Sequence, residues 1–228
     1  MFSKTVVVLS LLLNSVSSFA PATSSSIRNE VCLNSKKSAS DATLQPALAV
    51  GTFIEFEEKQ HRVHMGKIAE VEHKSNGGTR YAVEDSDGHH FNIPDKAVLF
   101  FVNPPNSPGP ANKLYLELIA AQKASEAELQ SKLDISPEIL ELAWEEALES
   151  EKGLTPDGLI ELVHSHAAST VEKYQAWRLL QGDLAHVFFK DTKDHGRITS
   201  FKVKARKAVE NAKKAFCNSH EESDLCLI

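Results

Sequence analysis

ISPEILELAWEEALESEKGLTPDGLIELVHSH, Ile135 to His166, decides how the rest of the chain is read. Each half opens on a hydroxyl residue followed by proline, Ser136-Pro137 and Thr155-Pro156. A hydroxyl there accepts from the free N–H groups of a first helical turn, and proline at the first helical position gives up an N–H that had no partner. Glu138 suits the positive end of such a helix. Ile139, Leu140, Ala143, Trp144, Ala147 and Leu148 recur at helical spacing and form one apolar stripe. Glu141, Glu145, Glu146 and Glu149 are expected to face water, and Gly153 to stop the helix. In the second half Leu159, Ile160, Leu162 and Val163 make another stripe. Nothing in these two helices can do chemistry, so they read as support for the segment C-terminal to them.

That segment reads as a third helix and a hairpin. Ser169 with Glu172 is a capping box for a helix over Val171–Leu180, which carries Lys173, Tyr174, Trp177 and Arg178 and ends at Gly182-Asp183. LAHVFFK (Leu184 to Lys190) and RITSFKV (Arg197 to Val203) read as strands around a polar loop at His195-Gly196. Three short helices and a β-hairpin are the layout of a winged helix-turn-helix. A last helix, Lys204 to Phe216, is strongly basic, with Ala208, Val209, Ala212 and Phe216 as its apolar side. Trp144 lies on the apolar stripe and reads as core; Trp177 reads as core or as a platform for a stacked base.

Upstream, Leu114 to Leu133 predicts one helix. NPPNSPGPAN (Asn103 to Asn112) before it reads as a linker that continues neither strand nor helix. From Gly51 the period is that of strands: GTFIEFEE, then VHMGKIAEVEH with Gly66 as a bulge or bend, then a turn at Asn76-Gly77-Gly78. RYAVED and HHFNI flank Asp87-Gly88, a strong hairpin signal, and VLFFV closes the set. Five short strands predict a small SH3-like or OB-like barrel. About 50 residues bury only a modest core, so the barrel is expected to lean on its neighbour. The fold class is therefore α+β: a small barrel over 49–103, a linker over 104–112, a winged-helix domain over 113–216 with a basic last helix, and a disordered tail over 217–228. His61, His64, His73, His89 and His90 fall in the strand region without a ligand-like frame and read as solvated.

Residues 1–18 pair Lys4 with the apolar run Val6–Leu13 and small residues after it, the pattern of a signal peptide. Residues 19–46 are rich in serine, carry Arg28, Lys36 and Lys37, and read as a disordered, transit-peptide-like segment. Ser18-Phe19-Ala20-Pro21 at the join is similar to the motif of bipartite plastid presequences, so the expected destination is the plastid, with secretion as the alternative. Three widely spaced cysteines, Cys32, Cys217 and Cys226, make no disulfide framework and no zinc site, and no cofactor motif is present.

The net charge of −6 excludes a polycation but hides a split. Acids dominate between Asn112 and Glu161, bases between Lys190 and Lys214. Such asymmetry suggests an anionic partner at the basic end; a solvated helix is the simpler account. The residues expected to contact it are Lys173, Arg178, Lys190, Lys193, Arg197, Lys202, Lys204, Arg206 and Lys207.

GTFIEF, VLFFVNPP, SPEILELAWEEALE, LTPDGLIELV and YQAWRLLQGDLAHVFFKD, in that order, resemble the N-terminal region of the ribonuclease II family, most closely its cyanobacterial and plastid branch. The resemblance covers about Gly51 to Phe216 and implies an SH3-like barrel followed by a winged helix. It also implies an RNA partner. The family's 3′-to-5′ hydrolysis of RNA belongs to a separate module whose aspartates hold magnesium, and no such aspartate cluster is read here. The expectation is a non-catalytic RNA-binding or accessory module, able to work beside a ribonuclease catalytic module. The alternatives are the truncated product of a full exoribonuclease and a protein–protein adaptor.

Overall fold

β1, Phe53–Glu57, shows where the core lies, because it does not alternate. Phe53, Ile54, Glu55 and Phe56 are all buried. Successive strand residues point to opposite faces, so a strand buried throughout is covered on both sides. Ile54 and Phe56 pack with Ile68, Tyr81, Val83, Ile93 and Val98 inside the sheet's own core. Phe53, from the other face, joins a second core with Leu118, Tyr174, Trp177 and the rest of the helical residues.

The computed structural model describes residues 46–219, except 60, 76, 151, 152, 195 and 196. The signal-peptide reading, the transit-peptide reading short of Pro46, and the last nine residues of the chain lie outside the described residues. Those described fall within one compact unit. β2 (Val63–His73), β3 (Thr79–Asp85), β4 (His90–Pro94) and β5 (Val98–Val102) join β1 in an antiparallel sheet of order β4-β3-β2-β1-β5. The last strand thus returns beside the first, Phe53 opposite Val102 and Glu55 opposite Phe100, after a 3-10 turn at Asp95–Ala97. Gly66 is not the bulge: the β2–β3 register shifts between Ile68 and Glu70. Glycine is needed at 66 for close approach, since a Cβ there would sit 2.4 Å from Val83 Cγ1 and 3.0 Å from the Glu84 carbonyl oxygen.

The proline-rich stretch read as a linker already contains a helix. α1 is Pro108–Lys123, entered from Ser107. Pro108 and Pro110 fall in the first turn, where N–H groups have no helical acceptor to lose. The single helix expected over Leu114–Leu133 breaks at Ser125, whose hydroxyl and Glu128 form a capping box that starts α2, Glu126–Leu133. Then come α3 (Pro137–Ser150), α4 (Pro156–His164) and α5 (Thr170–Leu179). Leu154, between α3 and α4, bridges to Phe201.

The strand expected over Leu184–Lys190 begins as a helical turn, α6, Ala185–Phe188. Leu184, Ala185, Val187 and Phe188 are all buried, a spacing one helical face satisfies and an alternating strand does not. Glu126 caps that turn by accepting from the Leu184 N–H at 3.2 Å. The wing comes next as β6 (Phe189–Asp194) and β7 (Arg197–Val203). α7 runs over Arg206–Ser219, three residues into the segment expected to be a tail. Cys217 on it is disulfide-bonded, a single bridge where the cysteine spacing suggests no disulfide framework.

Candidate functional site

In a helix-turn-helix the second helix of the pair is the one that enters a nucleic-acid groove. Here that helix is α5, and of its ten residues only Thr170 at the start is exposed. Tyr174, Ala176, Trp177 and Leu179 are buried. Phe100 of β5 lies against both Tyr174 and Trp177, with ring centroids 5.1 and 4.9 Å apart. The Trp177 indole donates to the Ile198 carbonyl at 3.2 Å, so this ring is core and no stacking platform.

The cations of α5 are engaged as well. Lys173 pairs with Asp157 at 2.6 Å. Arg178 reaches into the sheet, 3.4 Å from the Glu55 carboxylate and 3.1 Å from the Gln122 carbonyl, so it fastens helix to sheet. Glu55 is fully enclosed; burial pushes its carboxyl above the ordinary value, and Arg178 acts in the opposite direction. Burial likewise raises the neighbouring Tyr174 phenol far above its ordinary value.

Arg197 also leaves the expected contact set. It is only 6% exposed, pairs with Asp95 at 2.5 Å and lies 5.4 Å over the Phe101 ring. The Tyr81 hydroxyl donates to the same Asp95 carboxylate, so one acid ties the wing to the five-stranded sheet. Arg206 is exposed but stands over the Trp144 ring, 3.9 Å from Glu145. Lys213 pairs with Glu141 at 2.6 Å. Glutamates expected to face water alone thus meet the basic helix, and part of the charge split along the sequence closes on itself.

Lys190, Lys193, Lys202 and Lys207 remain. All four are exposed, and none has an ion pair among the described residues. Lys190 and Lys202 are direct cross-strand partners on β6 and β7. Like charges in that position repel. Lys204 lies two residues beyond Lys202, its ammonium donating to the His186 carbonyl. Burial lowers its pKa, and the charge of Lys190 adds to the effect. Cross-strand facing could not be read from the sequence, because the strand was expected to begin at Leu184 and its register was unassigned.

Among the described residues, the one group of three potential metal ligands is Asp85, Asp87 and His89. There a single Asp85 oxygen accepts from the backbone N–H groups of Asp87 and His89, both at 2.8 Å, which builds the β3–β4 turn.

Helix α3, the Leu154 bridge, helices α4 and α5 and the β6–β7 wing set the comparison with known families. Residues 125–208 match the ribonuclease II winged helix domain. The matched span begins at the Ser125 cap of α2 and ends in the first turn of α7. No curated protein matches the chain.

Proposed function

We propose that this chain is a non-catalytic RNA-binding module of the ribonuclease II type, holding single-stranded RNA on its wing. The observation that carries the reading is the Lys190–Lys202 pair, two exposed lysines facing each other across the hairpin without an acid to separate them. A fold keeps such a repulsive pair at some cost, and a phosphate between the two ammonium groups relieves it. Lys193 on the same strand and Lys207 at the start of α7 are further exposed cations. The winged-helix match supports a ribonuclease II-like accessory role. Phosphate contacts of this kind give a salt-dependent affinity with little sequence preference.

Work beside a ribonuclease catalytic module, and delivery to the plastid, belong to the same proposal and rest on the resemblance and the presequence pattern. The test is an incubation of the purified chain with end-labelled single-stranded RNA and magnesium. The proposal expects retention of RNA that weakens as salt rises, and an undegraded strand. Shortening of the RNA by the clean protein, or no retention at low salt, refutes it.

A further inference from the structure

We infer that the wing takes the phosphodiester backbone alone, so that single-stranded DNA and RNA of one sequence are bound equally; this rests on the reading just given. Three observations lead there. First, the element that reads bases in a winged helix is internal: α5 is spent on Phe100, Glu55 and Gln122. Second, the described residues of the wing strands offer no aromatic stacking surface: Phe189 and Phe201 are each 0% exposed, and base stacking needs an open ring face. Third, the exposed cations of the wing are lysines, whose ammonium is a point charge that finds phosphate without orienting a base edge.

Discrimination between RNA and DNA requires a contact to the 2′-hydroxyl, and sequence preference requires stacking or hydrogen bonds to base edges. Lys190, Lys193, Lys202 and Lys207 supply ammonium donors, which bond a charged phosphate oxygen in preference to a neutral hydroxyl. Among the described residues of the hairpin, Thr199 is the one exposed uncharged polar side chain. It sits at the register shift, outside the paired positions and three residues before Lys202. Affinity therefore comes from counterion release, with a slope of about −0.7 in log K per log salt for each neutralised phosphate of a single strand.

The experiment is fluorescence anisotropy on the full chain with labelled RNA and DNA oligonucleotides of identical sequence, about 12 nucleotides long, over a range of salt. The inference expects affinities within about two-fold of each other and a slope of about −2 to −3, from three to four contacts. The Lys190→Gln/Lys202→Gln variant should lower affinity for both strands by about 25-fold near 0.1 M salt and flatten the slope by about 1.4. Circular dichroism checks the variant's fold, and removing a like-charge pair from an exposed face should leave its melting temperature unchanged or higher. RNA bound more than about ten-fold tighter than DNA overturns the inference while leaving RNA binding intact. Binding of neither strand, or a double variant with unaltered affinity for both, overturns the inference together with the reading beneath it.

Discussion

Replacing Arg178 by alanine removes the cation that faces the enclosed Glu55 carboxylate. The charge left behind has one escape, which is to take up a proton. For a carboxyl of ordinary value 4.5, protonation near pH 7 costs about 3.4 kcal/mol and near pH 5 about 0.7 kcal/mol, at about 1.36 kcal/mol per pH unit. Those figures are ceilings. The native carboxyl is already raised by burial, so part of the cost is present before the substitution, and Arg178 keeps 31% of its side chain in solvent. The expected destabilisation is therefore about 2 kcal/mol near pH 7 and about 0.5 kcal/mol near pH 5. Urea unfolding at the two pH values measures it. A raised folded pKa means that Glu55 favours the folded state at low pH and that this contribution fades as pH rises through the folded value. Glu55→Gln should flatten that limb and leave stability near pH 7 equal to or above the parent's. A loss from Arg178→Ala that is equal at both pH values, or a large loss from Glu55→Gln, would refute the reasoning. RNA affinity should not respond to Arg178→Ala at all.

Asp95→Ala takes from the buried Arg197 and the Tyr81 hydroxyl a shared acceptor and, with Asp95 itself 38% exposed, should cost about 1–2 kcal/mol by urea unfolding. Gly66→Ala puts a methyl group 2.4 Å from Val83 Cγ1 and should cost about 1–3 kcal/mol in the same assay. Glu172 is held below the ordinary carboxylate value by the Ser169 hydroxyl and N–H, so its contribution is present above 4.5 and lost as pH falls through the folded value. Ser169→Ala should weaken α5 by about 1 kcal/mol near neutral pH and by less in acid, read from thermal melts across that range.

Local signals carried much of this fold. Ser136-Pro137, Thr155-Pro156 and Ser169 with Glu172 mark helix starts by chemistry that acts within four residues, and α3, α4 and α5 begin where those residues fall. Arg197–Val203 is a strand with the bounds its alternation suggests. Ser125 with Glu128 is the same kind of signal and marks the α1–α2 break, but the apolar period ran through it and hid it. Non-local causes account for the rest. Leu184–Phe188 is a helical turn whose buried Leu184, Ala185, Val187 and Phe188 lie in the core that α3 and α7 also line. Of the nine expected contact residues, Arg178 and Arg197 are drawn inward by Glu55 and Asp95, which lie 123 and 102 residues away. No spacing rule reaches that far. Charge alone singles out Lys190 and Lys202, and only the β6–β7 register shows that they face each other.

If the wing holds the strand while α5 serves the interior, the two elements must respond differently to RNA. The most direct measurement is the set of backbone amide NMR shifts on titration with single-stranded RNA. Changes concentrated at Lys190–Lys193 and Lys202–Lys207, with Thr170–Leu179 unmoved, are the predicted result. Changes centred on α5, or spread over β2 and β3 of the five-stranded sheet with the wing silent, would contradict it.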